Sequence, residues 1–566
     1  MTGSSTPLPS THEVAALVDA DLAAGETGTA FNRVITCLES LYEDPGTVGV
    51  AFGSRVLDDA CVRLGRKVSV PTPGRYDRGL VAYVATQFVF PGGHTFVIRD
   101  LIAAQPGRRH LVLLTSVGGR PDLGGVRRFL GPEVEVDAAP EGSAAESAAW
   151  VAARLAEAAP GRAFLMAHPH DAAAVAGFGP GLAGEMLFYH HVDHRLTLGV
   201  HLPHVRHVDF RYAGFANCRH DLGVAGNLYL PLTAGEPAAA AAPSLPLTTA
   251  SAGRWGKFAH GGGALYPEQV PRWLAATGGR HVHLGAMPSS VTASIEREVA
   301  VTGMESGRFV HLPAAPSFRD VLLGHGVGVY IDSFPLGGCR STVEAMAAGI
   351  PVAAYRNPAS KVLSNETLVY PGAFVWEDPV DLVSHLAGLD EATLAAEGGL
   401  AAEHYRRHHH PALLAEALAS ETVRGLPVPD RVQPVSTLER YLAAAGAAAG
   451  TGPDAELGRL VRKALGLTGS LVPEDRRRLS RALYLAAGLP EASGGVLGEA
   501  AVSRLLFEQS RSDAGTVPER HEADRRAERD LRRLLRRLGS GPLGWLVRRR
   551  AGFRALEERY LRRPAG

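Results

Sequence analysis

The sequence predicts an α/β protein with two doubly wound parallel sheets and helical segments at both ends. The first observation is size: 566 residues, 46% of them hydrophobic and 20% charged, are enough for two or three packed cores. The second is that short apolar runs alternate with amphipathic stretches, the pattern of strands joined by helices in a parallel sheet. The third is that this alternation stops at a segment rich in Pro and Ala and then starts again. Two separate sheets are therefore expected.

Residues 1–75 are predicted to be helical, because HEVAALVDADLAA and AFNRVITCLESLY carry apolar residues at three- and four-residue spacing. A first doubly wound domain is expected over residues 76–240. Its predicted strands are LVAYVATQFVF (80–90), HLVLLTSV and AFLMAHP, and its predicted helices are FVIRDLIAA and a segment near residues 144–158.

Residues 241–252 are predicted to be a linker, because the segment EPAAAAAPSLPLTTAS (236–251) is low in charge and rich in Pro and Ala. The second domain is expected over residues 253–421, with strands RHVHL, 309–312, GVGVYIDSF and IPVAAY. Ligands of two such domains bind between the facing carboxyl ends of the strands.

Residues 422–566 are predicted to be a helical, Arg-rich extension. Its last 66 residues hold 17 Arg against nine acidic residues. Because acidic residues are interleaved with them, a solvated or oligomerising helix pair is favoured over contact with anionic lipid or an acidic partner.

Charge and cysteine content exclude several classes. Lys and Arg together number 58, as do Asp and Glu, so net charge gives no reason to expect a nucleic-acid partner. Four cysteines without a CxxC pair exclude a disulfide scaffold and a zinc ribbon. The first 13 residues have neither a basic nor an apolar stretch, and no apolar run reaches about 20 residues. A cytoplasmic protein is therefore expected.

The stretch IDSFPLGGCRSTVEAMAAGIPVAAYRNP, residues 331–358, carries the most chemistry. A strand is predicted to end at an aspartate, a Pro/Gly loop then permits close approach of backbone to a ligand, and a helix begins near the Ser-Thr pair. The open N–H groups of that helix favour phosphate, the hydroxyls offer capping and phosphate contact, and the glutamate one turn in can bind a ribose diol. The residues expected to bind the ligand are Asp332, Gly337, Gly338, Ser341, Thr342 and Glu344.

These residues also resemble the donor-sugar motif of GT-B glycosyltransferases. EAMAAGIPVAA is similar to the glycogen-synthase-like family, and DSFPLGG with the following Ser-Thr is closer to O-GlcNAc transferase and the bacterial cytoplasmic N-glucosyltransferases. The resemblance covers roughly residues 80–421. It implies the GT-B fold, in which two Rossmann-like domains face a cleft. The glycogen-synthase-like pattern has a second glutamate where this chain has Leu336.

A second stretch, SAGRWGKFAHGGGALYPEQVPRWLAA, resembles the opening of the GT-B donor domain, where a basic residue grips the diphosphate. Lys257 is the candidate, with Arg254 as helper and Lys361 as a second candidate. Only four lysines stand among 54 arginines, which makes a retained lysine more informative.

Two stretches that contain histidines are candidates for the acceptor site. FYHHVDHRLTLGVHLP resembles a segment late in the acceptor domain of bacterial GT-B enzymes, and FPGGHT resembles the glycine loop after the first strand. His191, oriented by Asp193, and His94 are the expected catalytic groups, since an imidazole beside a carboxylate suits general-base work. The histidine spacing also leaves a metal site open, but no cysteine lies near His191 and His194 in sequence, so no metal is expected.

The resemblance implies a metal-independent glycosyltransferase that moves a sugar from a nucleoside-diphosphate sugar, UDP by default, to a protein, natural-product or glycan acceptor. Two alternatives stay open from the sequence: a sugar-nucleotide epimerase of the same fold, and a non-catalytic scaffold in a polysaccharide or antibiotic pathway.

Overall fold

The computed structural model describes residues 10–42, 48–49, 51–88, 92–117, 119, 121–237, 244–258, 266–357, 360 and 362–428. The predicted Arg-rich extension beyond residue 428 lies outside these residues. The N-terminal helices are α1 (Thr11–Ala23), α2 (Thr27–Tyr42) and α3 (Arg55–Lys67). No helix among the described residues combines the length and hydrophobicity needed to span a membrane.

The first sheet has seven parallel strands in the order β3-β2-β1-β4-β5-β6-β7. Its strands are β1 (Asp77–Ala85), β2 (Arg109–Leu114), β3 (Val134–Ala138), β4 (Pro160–Leu165), β5 (Glu185–Tyr189), β6 (Arg206–Asp209) and β7 (Leu228–Tyr229). Its helices are α4 (Gly93–Ala103), α5 (Leu123–Leu130), α6 (Ala144–Ala158), α7 (Ala172–Gly177) and α8 (Tyr212–Ala216), and a π-helical turn follows at Asn217–Asp221.

The second sheet has six parallel strands in the order β10-β9-β8-β11-β12-β13. Its strands are β8 (Thr248–Ala252), β9 (His281–Leu284), β10 (Phe309–Leu312), β11 (Val327–Ile331), β12 (Val352–Tyr355) and β13 (Phe374–Trp376). Its helices are α9 (Tyr266–Thr277), α10 (Ser289–Val301), α11 (Phe318–Gly324), α12 (Arg340–Ala347), α13 (Pro379–Ala387) and α14 (Glu391–His408), with a 3₁₀ turn at Trp255–Lys257. A last helix, α15 (Pro411–Ala419), contacts α4 of the first domain. The expectation of two doubly wound domains is confirmed by this topology.

The N-terminal helices pack on one face of the first sheet. Val18, Phe31 and Leu57 share a continuous core with Ala82 and Val84 of β1, and all five are buried. Each large apolar side chain buried in this way contributes about 1.5–3 kcal/mol. The helical segment is therefore part of the first domain's core and not a detached extension.

Two predicted boundaries differ from the structure. The segment 241–252, expected to be a linker, contains β8, a central strand of the second sheet. Its sequence, TTASA, has only small side chains, so it lacks the bulky apolar run by which a buried strand is recognised. The second domain was expected to end at residue 421, yet the chain returns to the first sheet: Leu426 N donates to Tyr229 O, and Arg162 donates to Leu418 O at 2.9 Å.

A candidate active site between the two sheets

Each of the two sheets reverses its strand order at one point. The reversal falls between β1 and β4 in the first sheet and between β8 and β11 in the second. His94 and His168 follow β1 and β4, and Lys257 and Asp332 follow β8 and β11. In doubly wound sheets ligands bind outside the carboxyl ends of the strands at these reversal points. Three residues that the sequence singled out, His94, Lys257 and Asp332, therefore stand where such a fold binds ligands, together with His168.

Asp332 organises the loop that follows β11. Its Oδ1 accepts hydrogen bonds from Gly338 N at 2.8 Å, Ser333 N at 2.9 Å and Thr342 Oγ1 at 3.0 Å. Its Oδ2 accepts from Asn365 Nδ2 at 2.8 Å. Burial raises the pKa of this carboxyl, and the hydrogen bond from Gly338 offsets part of the rise. Asp332 was predicted to bind the donor, but both its oxygens are used within the protein, so it is a positioning residue.

The two glycines of the loop are required by packing. A Cβ on Gly338 would lie 2.7 Å from Asp332 Oδ1 and would also overlap Ser341 Oγ. A Cβ on Gly337 would lie 2.6 Å from the Asn365 side chain. Folded proteins essentially never show separations this short, so a side chain at either position would have to displace the Asp332, Ser341 or Asn365 side chain that holds the loop.

The first turn of α12 leaves its backbone donors open. Cys339 is the residue before the helix; its φ is +48°, and its side chain makes no capping bond. Within the described chain the amides of Arg340, Ser341 and Thr342 have no acceptor. The expected caps are engaged elsewhere: Ser341 Oγ is 2.8 Å from Tyr330 OH, and the Thr342 hydroxyl donates to the buried carboxylate of the loop. Three N–H groups and the positive end of the helix dipole are therefore open beside the loop that follows β11, an arrangement that favours an anion.

Lys257 adds a positive charge to the same loop. Its Nζ donates to Gly337 O at 3.0 Å, although the two residues lie 80 positions apart in sequence. The ammonium also lowers the pKa of Asp332, partly offsetting the effect of burial. Arg254, which precedes the 3₁₀ turn, is exposed. Lys257 thus lies against the loop that follows β11, and its contact with a diphosphate stays a prediction, whereas Lys361 lies outside the described residues.

Glu344 lies one turn into α12, with 15% of its side chain exposed, and takes part in an interdomain ion cluster. Arg340 Nε is 3.4 Å from Glu344 Oε1, and Arg340 Nη1 is 2.6 Å from Asp100 Oδ2 on α4 and also donates to Thr233 O. Burial raises the pKa of Glu344, and the Arg340 charge opposes that rise. Arg340 was missed from sequence; the i,i+4 spacing to Glu344 was the only local signal for it.

Three histidines, His94, His168 and His191, form a cluster at the carboxyl edge of the first sheet. The ring centroids of His94 and His191 lie 5.6 Å apart. His94 contributes to lowering the pKa of His168, and His168 contributes to lowering the pKa of His191. Desolvation is the main cause of the lowered pKa in all three, and it brings the pKa of His168 to about 3. The cluster is therefore neutral near pH 7. His168 was not predicted, because its strand end gave no motif.

The tautomer of His94 follows from its partner. His94 Nε2 is 2.9 Å from the carbonyl oxygen of Gln87, which can only accept, so the neutral ring carries its proton on Nε2. Its Nδ1 then has a lone pair that can accept a proton. The positive charge of Arg254, in the second domain, contributes to lowering the pKa of His94, in the first domain.

Asp193 does not orient His191 as predicted. Its two carboxylate oxygens accept from Nε and Nη2 of Arg211, the latter at 2.8 Å, in a buried ion pair. Arg211 also donates to Val362 O and, at 3.4 Å, to Asn365 Oδ1 of the second domain. The pair therefore links the domains. The prediction was wrong because Arg211, brought close by the strand crossover to β6, outcompetes a neutral ring for the carboxylate.

No protein-family model and no curated protein sequence matches the chain. Solved structures with a related fold include HepE from Anabaena in complex with UDP and glucose, 16% identical, with a TM-score of 0.45 over 60% of this chain and 98% of that chain. Another is the Thermobaculum terrenum O-GlcNAc transferase, 14% identical, with a TM-score of 0.40 over 77% and 83% of the two chains. A Rickettsia africae glycosyltransferase is 12% identical, with a TM-score of 0.44 over 60% and 97%. At these values the likeness is one of general architecture.

Proposed function

We propose that this chain transfers a glycosyl group from a nucleoside-diphosphate sugar to a nucleophilic group of an acceptor, which is a protein, a natural product or a glycan. UDP is the expected nucleotide, and no metal ion is expected in the transfer step. The observation that carries the proposal is the start of α12, where three backbone amides have no acceptor in the described chain, next to the loop to which the Lys257 ammonium donates a hydrogen bond. This is a preformed site for a diphosphate.

The donor would lie across this helix end. The α12 amides and Lys257 would hold the two phosphates, and Glu344, whose carboxylate is still partly exposed, would accept hydrogen bonds from the ribose hydroxyls. The charge that develops on the departing diphosphate as the glycosidic bond breaks would meet preorganised donors. A lysine and a helix N-terminus would thus supply the positive charge that a divalent cation supplies in other phosphate sites.

The acceptor would approach from the first domain. His94 Nδ1 is the expected proton acceptor, because its Nε2–H is already held by the Gln87 carbonyl and its pKa is lowered by desolvation. A neutral imidazole can take a proton from an acceptor hydroxyl or amide as the new bond forms. His191, in ring contact with His94, would contact the acceptor or the transferred sugar.

The test is a thermal-shift panel of UDP, GDP, ADP and TDP, with and without EDTA. A ligand at 100 times its dissociation constant adds about 2.7 kcal/mol to the free energy of unfolding, which is seen as a raised melting temperature. We expect one nucleotide to raise the melting temperature by the same increment in EDTA, and the increment to be lost in Glu344→Ala and in Lys257→Met. Lys67→Met, at an exposed lysine at the end of α3, is the matched control. No shift with any nucleotide would overturn the proposal.

A further inference from the structure

Four buried side chains of the first domain offer ligand atoms to a common point. They are His190, His207, Asp209 and Cys218, with exposures of 0%, 4%, 1% and 0%. One nitrogen, oxygen or sulfur atom from each lies within 4.8 Å of all the others. Two imidazoles, a carboxylate and a thiol in one buried cluster are the ligand types of a tetrahedral zinc site.

Three elements bring these groups together. His190 follows β5 and precedes His191, whose ring belongs to the histidine cluster of the cleft. His207 and Asp209 are two positions apart on β6, so both project from the same face of the sheet. Cys218 comes from the π-helical turn that follows α8. Sequence reasoning considered only cysteines near His191 and His194 along the chain, and folding brings Cys218 beside their neighbour His190.

The spacing of the atoms agrees with tetrahedral coordination. His190 Nδ1 is 3.3 Å from Cys218 Sγ and 3.5 Å from Asp209 Oδ1, and His207 Nε2 is 3.1 Å from Asp209 Oδ1. Zinc bonds of about 2.0–2.3 Å at tetrahedral angles place N···O pairs about 3.4 Å apart and N···S pairs about 3.6 Å apart. The cluster therefore already has nearly the dimensions of a coordination shell.

One neighbouring side chain, Asn227, orients the carboxylate ligand. Asn227 Nδ2 donates to Asp209 Oδ2 at 2.7 Å, which leaves Oδ1 facing the histidines, as outer hydrogen bonds do for ligating carboxylates. The far ring nitrogens, His190 Nε2 and His207 Nδ1, are buried without a partner in the described chain. Among the described residues, the two rings therefore have partners only at His190 Nδ1 and His207 Nε2, and these partners belong to the cluster.

The charges also suit a divalent cation. A bound Zn²⁺ deprotonates a coordinating thiol. The carboxylate and the thiolate would then neutralise the ion, and the imidazole and thiolate ligands favour zinc over magnesium or calcium.

We propose that His190, His207, Asp209 and Cys218 form a structural zinc site that is separate from the transfer chemistry. All four positions are taken by protein ligands, so no position is open for water or substrate. The metal joins the end of β5, strand β6 and the turn at Asn217–Asp221. It thereby holds the chain segment that carries His191 into the cleft.

The test measures metal in the untagged full-length chain, produced with zinc and freed of loose metal by gel filtration. Elemental analysis is expected to find about one zinc per chain, and to find none in Cys218→Ser or His207→Gln. Cys37→Ser, at a half-buried cysteine of α2, is the matched control and is expected to keep the metal. Cobalt in place of zinc is expected to give the visible bands of a tetrahedral site and a thiolate-to-cobalt band that Cys218→Ser removes.

Wild-type protein without zinc and without a cobalt spectrum would overturn the proposal and leave the cluster as a hydrogen-bonded network around Asp209. The same holds if Cys218→Ser keeps its zinc, because the metal would then be bound elsewhere, for example at His408–His410. If neither variant folds, the cobalt spectrum of the wild type decides alone. The nucleotide shifts described above do not depend on this result, so either proposal can fail without the other.

Discussion

Replacement of Lys257 by Met tests the proposed donor site most directly. Methionine keeps the length and apolar stem of the side chain but removes the ammonium, and with it the hydrogen bond to Gly337 O at 3.0 Å. The α12 amides stay in place, because Asp332 holds the loop through four other hydrogen bonds. The substitution therefore isolates the contribution of one positive charge.

The expected magnitude follows from the exposure of the lysine. A hydrogen bond to a charged group contributes about 1.5–3 kcal/mol. Lys257 is only half-buried, so solvent screens its charge and the lower half of this range applies. A loss of about 1.5–2 kcal/mol corresponds to a roughly 10- to 30-fold weaker affinity for UDP. Uridine, which lacks the phosphates, should bind equally to both proteins.

The assay is isothermal titration calorimetry of UDP, UMP and uridine against wild type, Lys257→Met and the control Lys67→Met. The loss should grow from uridine through UMP to UDP, and high salt should reduce it because the lost interaction is electrostatic. The reasoning is refuted if UDP binds Lys257→Met as tightly as wild type. It is also refuted if uridine and UDP lose affinity equally, because the lysine would then support the fold of the site and not the diphosphate.

Three further outcomes are expected. Gly338→Ala should lower the free energy of unfolding, measured in urea, by about 1–3 kcal/mol, because the added Cβ overlaps the Asp332 carboxylate. It should also abolish the rise in melting temperature with UDP. Gly28→Ala, with no atom within 4 Å of the added Cβ, should do neither. Arg211→Met should lower the free energy of unfolding by about 3–5 kcal/mol, because it leaves the buried Asp193 carboxylate unpaired. Arg128→Met, at an exposed ion pair, should lower it by less than about 0.5 kcal/mol. Equal losses in the two variants would contradict the burial of the Arg211–Asp193 pair. His168 has its pKa lowered from 6.5 to about 3, so the folded state binds fewer protons than the unfolded chain between these values. Its contribution to stability is complete above pH 6.5 and is lost as the pH falls toward 3, so the melting temperature should fall on acidification, and less steeply in His168→Gln; parallel pH profiles would contradict this.

Local sequence signals predicted most of the secondary structure well. The segments 144–158 and 309–312 were expected as a helix and a strand, and the structure has α6 and β10 with these bounds. The helix near Ser341 begins one residue earlier, at Arg340. Periodicity and Gly or Pro punctuation suffice here because helix and strand formation depends on residues a few positions apart. β8 was missed because its small side chains carry no such signal.

The loop that follows β11 was also largely readable from sequence. Gly337, Gly338 and Glu344 lie within a dozen residues of Asp332, and a strand, glycine loop and helix in that order define a helix N-terminus open to an anion. The sequence did not show which of these side chains are free to contact a ligand and which form hydrogen bonds within the loop. Asp332, Ser341 and Thr342 differ only in the direction of their side chains, and that direction is set by Asn365 and Tyr330, which lie outside the motif.

The sequence by itself thus determined the alternation of strands and helices and the order of strand, glycine loop and helix N-terminus after β11, because both are encoded by near neighbours. Only the tertiary structure decided the partners of the titratable groups. Asp193 pairs with Arg211, the His94 ring meets that of His191 from 97 positions away, and Cys218 lies against His190. These pairings depend on which strand ends share an edge of the sheet, and burial at that edge then shifts the pKa values of the histidines.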